Sequence, residues 1–159
     1  MHFNILLGFL FPWLLGFYLY LKDKKTVLSI APFSSLVAHL FNMLGMHLGL
    51  WQVTPFHLFD VSVLPFELGL YAILGSLLVY TIQRTKLNHH LIILIFGAST
   101  TLLEQLSFFL GIVHYSNSWN IWWTFISYLT PYYLVYSYYI ALKHVSILLC
   151  KPPNNSQHH

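Results

Sequence analysis

Five apolar stretches, each about as long as a helix that crosses a bilayer, take up most of this sequence. They run over residues 3–21, 27–50, 61–82, 91–113 and 121–142, against a need for roughly 20 apolar residues per crossing. Backbone immersed in lipid has no water to bond to, so each stretch must satisfy its own N–H and C=O groups as a helix. The links between stretches are short and leave no room for a separate soluble domain. The predicted fold is therefore all-α: a polytopic transmembrane helical bundle of five spans, one domain over 1–150 with a short polar tail at 151–159. Charge supports this. Seven Lys/Arg and four Asp/Glu in 159 residues are too few to coat a soluble domain, where about a quarter of residues are charged. A disordered chain, a nucleic-acid binder and an ordinary soluble enzyme are excluded, and the first partner is the lipid bilayer.

The basic residues then set direction. Lys22, Lys24 and Lys25 follow the first stretch, Arg84 and Lys86 the third, Lys143 and Lys151 the fifth. All seven fall on one side if the chain crosses an odd number of times, and the positive-inside rule makes that side the cytoplasm. The expected topology is N-terminus outside and C-terminus cytoplasmic, in the plasma membrane. Met1-His2-Phe3-Asn4 carries no basic residue ahead of the first apolar run, so that run reads as a retained span rather than a cleaved signal. Cys150 reads as an unmodified small hydrophobe at the cytoplasmic interface.

Ionisable groups inside spans are costly and point to function by default. Counting along the stretches places His39 near the midplane, Glu104 at or just beyond it, and Asn42, Glu67 and His114 further out. Helical phase groups them into stripes: Pro32, Ser35, His39, Asn42, Met43 and Met46; Asp60, Glu67 and Tyr71; Gly97, Thr100, Thr101, Glu104, Ser107, Phe108 and Gly111; Thr124, Tyr128, Tyr132 and Tyr139. The expectation is an outward-opening cavity floored by His39 and Glu104 and rimmed by Glu67, His114 and the Trp-rich links. Asn42 and Tyr128 complete the candidate ligand-binding set, and no catalytic residue is assigned. The plainer reading is helix packing for the small residues, an interfacial belt for Trp51, Trp119, Trp122 and Trp123, an N-cap for Asp60 and a bundle-holding Glu104–His39 pair. Glu104 resists it most, being too deep to reach water readily.

No HExxH, CxxC or Glu-x-x-His pattern fixes two metal ligands on one turn, and no cofactor or phosphate-loop motif occurs. Neither a metal nor a cofactor is expected. The favoured function is non-enzymatic: an outward-facing polar and aromatic pocket for a small or lipidic ligand, or a role as subunit of a larger membrane complex. The alternative is a membrane enzyme using Glu104, His39 and Glu67 as acid–base groups on a lipid or isoprenoid. Pro65-Phe66-Glu67 is similar to the Pro-x-Glu element of small bacterial lycopene-cyclase domains, but Leu68 stands where those carry a second acid.

A local echo links Pro12-Trp13-Leu14-Leu15-Gly16-Phe17-Tyr18 with Pro65-Phe66-Glu67-Leu68-Gly69-Leu70-Tyr71. Together with Tyr18–Lys25, Ile30-Ala31-Pro32-Phe33 and Trp119-Asn120-Ile121-Trp122-Trp123-Thr124-Phe125-Ile126-Ser127-Tyr128, the second phrase resembles a family of uncharacterised small multipass membrane proteins from Bacillus- and Clostridium-type, spore-forming bacteria. The resemblance implies a Gram-positive plasma membrane. It brings no activity and no site residues.

Overall fold

Asp and Asn start three of the helices. Asp23 Oδ1 accepts from the Thr26 N–H (3.0 Å), Asn88 Oδ1 from the His90 N–H (2.9 Å), and Asn120 Oδ1 from the N–H groups of Trp122 and Trp123. Each satisfies donors that the first helical turn leaves orphaned. The computed structural model describes residues 1–116 and 119–149, without the side chains of 146–149. The expectations for Cys150, Lys151 and the tail at 151–159 fall outside the described residues.

The chain is mostly helical. Helix α1 is His2–Lys22, with a π-helical turn at Leu6–Leu10, and α2 is Lys24–His47. A short strand, β1 (Trp51–Val53), precedes a 3-10 turn at Phe56–Ser62. Helix α3 then comprises a π-helical turn, Phe66–Tyr71, running into Ala72–Arg84. Helix α4 is His89–Phe109, β2 is Val113–Tyr115 and α5 is Ile121–Leu149. Four segments are long and apolar enough to cross a membrane: His2–Lys22, Lys24–His47, Phe56–Arg84 and His89–Phe109. The fifth, α5, is long enough at 29 residues, but Tyr128, Tyr132, Tyr133, Tyr136, Tyr138 and Tyr139 make it less apolar.

Helix α3 is central and touches the other four. Its largest fully buried apolar side chains are Ile73, Leu78 and Val79, and Leu78, Val79 and Ile82 join Ile30, Ile92, Ile93, Tyr132 and Val135 in the main core. Its approach to α1 is backbone on backbone. A Cβ at Gly69 would lie against the Gly8 carbonyl and 2.6 Å from Phe9 Cα, and one at Gly8 would meet Phe66 at 2.9 Å. The glycines of the repeated phrase thus serve one interface: Gly69 meets Gly8, and Gly16 lies against Ile73. Small residues allow such approach inside a bilayer, where apolar burial alone does not drive helices together. The two π-helical turns face each other across this contact. Trp13 Nε1 donates to the Leu68 carbonyl (3.1 Å) and Ser34 Oγ to the Tyr71 carbonyl (2.8 Å), so α1 and α2 satisfy the loosened turn of α3.

At the opposite end from the lysines, α2 and α4 finish alike. Gly49 (φ 65°) and Gly111 (φ 70°) adopt the left-handed conformation. The N–H of Leu50 returns to the Gly45 carbonyl and that of Ile112 to the Ser107 carbonyl, each at 2.9 Å, closing a Schellman turn. The strands that follow pair antiparallel, Trp51 opposite Tyr115 and Val53 opposite Val113. Hydroxyls then cap the glycine carbonyls crosswise: Thr54 Oγ1 donates to Gly111 (2.8 Å) and Ser116 Oγ to Gly49. This two-stranded ladder is an addition to the expected all-α bundle. It also shortens the spans predicted at 27–50 and 91–113, because glycine stops each helix while the apolar run continues.

Asp60 sits inside the 3-10 turn rather than at a helix N-cap. Its Oδ1 is buried and without a hydrogen-bond partner among the described residues. The neighbouring segment is held from below by Asn4, a buried residue whose Nδ2 donates to the carbonyls of Thr54 (2.7 Å) and Ser62 (2.9 Å). Asn4→Ala orphans both acceptors. It is expected to cost about 1–3 kcal/mol and to open the Phe56–Ser62 segment to protease in detergent. Cleavage and thermal midpoint unchanged from wild type would contradict this.

Candidate functional site

Glu104 lies about one and a half turns from the C-terminal end of α4, nearer that end than the sequence count implied because Gly111 ends the helix early. The half-buried carboxylate accepts from three hydroxyls. Tyr115 donates to Oε1 at 2.7 Å, Thr124 to the same oxygen at 3.5 Å, and Tyr128 to Oε2. Tyr115 comes from β2, Thr124 and Tyr128 from successive turns of α5. Trp119 Nε1 holds Thr124 Oγ1 (2.9 Å), and Tyr71 of α3 shares a hydrogen bond with Tyr128 (2.9 Å). Burial, and next the Glu104 carboxylate, push the Tyr115 phenol above its usual range. It therefore remains protonated and remains a donor.

Glu67 occupies the first turn of α3, 1% exposed. Its Oε2 lies 3.0 Å from His39 Nδ1, and its Oε1 accepts from Asn42 Nδ2 at 3.1 Å. Tyr71, one turn along α3, bonds the Tyr128 that bonds Glu104. The two carboxyl groups thus belong to adjoining clusters in the half of the bundle away from the lysines.

Two small cavities flank Glu104, of about 50 Å³ and about 40 Å³. Asn42, Trp51, Tyr71, Glu104 and Tyr128 line both. The smaller is walled mainly by aromatic rings, with Phe41 and Trp119 added. Trp51 lies across Gly45, where a Cβ would strike its ring, and its ring centroid is 4.9 Å from that of Trp119. No Lys, Arg or His lines either cavity. Among the described residues no group of three or more His, Cys, Asp or Glu is placed to hold a metal.

The structure redistributes the residues expected from sequence. Glu104, Asn42 and Tyr128 line the cavities; Glu67 lies behind Asn42. His39 does not floor a cavity with Glu104. It pairs with Glu67, with 40% of its side chain exposed on the outside of α2. His114 does not rim either cavity: it is a residue of β2, exposed and edge-on to Phe56 at 5.0 Å. The tryptophans divide: Trp122 and Trp123 are exposed as a belt requires, whereas Trp51 and Trp119 turn toward Glu104. Tyr115 was missed. Its signal lies in the paired phrases Leu48-Gly49-Leu50-Trp51-Gln52-Val53-Thr54 and Leu110-Gly111-Ile112-Val113-His114-Tyr115-Ser116, which place Asn42 and Glu104 equally far ahead of their glycines.

No protein-family model, curated protein or solved structure matches the chain.

Proposed function

We propose that this is a five-span plasma-membrane protein, N-terminus outside, whose outer-half site binds the ammonium group of a small amine-bearing ligand without transforming it. The observation that carries this reading is the Glu104 carboxylate, set in an aromatic enclosure with no basic side chain. A carboxylate offers about four acceptor positions; Tyr115 and Tyr128 use two of them, and the single Thr124 proton is shared between Glu104 and Tyr115. At least one position is left for an N–H donor, and the faces of Trp51, Trp119, Tyr71 and Tyr128 attract a cation. Volumes of about 40–50 Å³ are far below the roughly 300–1,000 Å³ of drug-sized pockets. They suit a charged group rather than a whole lipid.

The test is a thermal-midpoint titration of the full chain in uncharged detergent. Methylammonium chloride is expected to raise the midpoint saturably, with sodium chloride and sodium acetate at equal ionic strength ineffective. Equal responses to all three salts would overturn the reading.

The topology follows from the charges and from α5 as fifth span, and the family resemblance supports a Gram-positive host membrane. With Cys150 replaced by Ser, Gln52→Cys in β1 is expected to react with an impermeant maleimide on intact cells. Lys86→Cys, between α3 and α4, should react only after permeabilisation. The reverse pattern would invert the assignment.

A further inference from the structure

At the end of the bundle away from Glu104, the described basic residues are not alike. Lys22 lies over Tyr18 (5.6 Å), Lys24 over Tyr20 (5.7 Å) and Arg84 over Tyr80 (5.2 Å). Lys22 and Arg84 stack on rings of their own helices, and Lys24 on a ring of the helix before it. Lys25 and Lys143 have no hydrogen bond, ion pair or ring contact among the described residues, and both line one cavity of about 330 Å³. It opens between the start of α2, the end of α3 and the later part of α5.

The walls combine polar and apolar groups. Thr26, Ser29, Gln83 and Tyr139 supply hydroxyl and amide groups, while Ile30, Val79 and Leu142 add apolar surface. One carboxylate, Asp23, also faces the cavity, but it is committed. Its Oδ1 accepts from the Thr26 N–H and its Oδ2 from Thr26 Oγ1 (2.7 Å). Gln83 Nε2 donates to the same Thr26 oxygen (3.2 Å), fixing that wall. Lys25 and Lys143, both exposed, therefore border one cavity whose acidic lining residue, Asp23, is hydrogen-bonded to Thr26. An anion in that cavity would meet two cationic side chains and accept charge-assisted hydrogen bonds from them.

We infer that this cavity binds a phosphate group, with Lys25 and Lys143 as its two cationic arms. The chemistry suits a phosphate carried by an anionic lipid headgroup, with the apolar wall residues against the glycerol, and equally a free phosphate. The site stands apart from Glu104, and the inference does not depend on the reading of that end.

The experiment uses the full chain in uncharged detergent, following the thermal midpoint on addition of phosphatidylglycerol, diacylglycerol with the same chains, or inorganic phosphate. Phosphatidylglycerol is expected to raise the midpoint and diacylglycerol to leave it. A single Lys25→Gln or Lys143→Gln change raises the half-saturating concentration about 5-fold and the pair about 30-fold, as juxtamembrane lysines act on anionic lipid. The Lys25→Arg/Lys143→Arg pair and Lys86→Gln keep the response. A response to phosphatidylglycerol alone assigns a lipid headgroup, and one to inorganic phosphate as well assigns the free ion; both support the site. A midpoint raised equally by diacylglycerol, or a Gln pair that folds and responds like wild type, would overturn it.

Discussion

Glu104→Gln is expected to abolish the methylammonium-dependent rise in thermal midpoint while leaving the unliganded midpoint close to wild type. The amide has the shape of the carboxylate, and the hydroxyls of Tyr115, Thr124 and Tyr128 can each rotate to give or accept a hydrogen bond. The enclosure therefore stays filled and bonded. What disappears is the negative charge that an ammonium group would meet. A hydrogen bond to a charged partner is worth about 1.5–3 kcal/mol, so affinity should fall roughly 10- to 100-fold. Glu104→Ala should lose the response and also lower the unliganded midpoint, because it strands three hydroxyls. Tyr128→Phe should weaken the response without abolishing it. A Glu104→Gln protein that binds methylammonium as tightly as wild type would refute the ammonium reading and leave Glu104 a packing residue.

The second large effect concerns folding. Gly69→Leu is expected to prevent α1 from docking on α3, and Gly69→Ala to cost about 1–3 kcal/mol, the usual range for overpacking. At Gly69 the obstacle is the Gly8 carbonyl and Phe9 Cα, which are backbone and cannot turn aside. Gly97 makes the fair comparison, since a Cβ there meets the Leu129 side-chain tip at 2.7 Å, which can move. Gly97→Ala should thus be nearly neutral, helped by the roughly 1 kcal/mol by which Ala exceeds Gly in helix propensity. Thermal midpoints of the three variants in one detergent decide the matter. Equal loss from Gly69→Ala and Gly97→Ala would show that the Gly8–Gly69 contact has no special weight.

The helical, membrane-compatible character of the chain was legible because hydropathy is a local sum. Glu104, Glu67 and Asn42 were legible as candidates because polar groups in apolar stretches stand out by cost. Their partners were not. Whether His39 faces Glu67 or Glu104 depends on how α2 is rotated against α3, which is settled by Ser34 reaching the Tyr71 carbonyl and by Gly75 making room for it. The early ends of α2 and α4 were hidden because Leu50, Ile112 and Val113 prolong the apolar run past glycines that nevertheless turn the chain. Trp51 and Trp119 read as belt residues because composition alone cannot tell an inward ring from an outward one. The paired Leu-Gly phrases were the missed clue, since they mark two helix ends that meet through a ladder of strands.

That ladder has a mechanical consequence. Bundles answer a change in bilayer thickness by tilting their helices. Here backbone bonds, from Thr54 N–H to the Ile112 carbonyl and from Ser116 N–H to the Leu50 carbonyl, strap α2 to α4 at the Glu104 end. Among the described residues no strand pairing does the same at the lysine end. A thinner or thicker membrane would then splay the bundle like a hinge closed at one side. The volume between Lys25 and Lys143 would take up the strain, while the enclosure around Glu104 kept its shape.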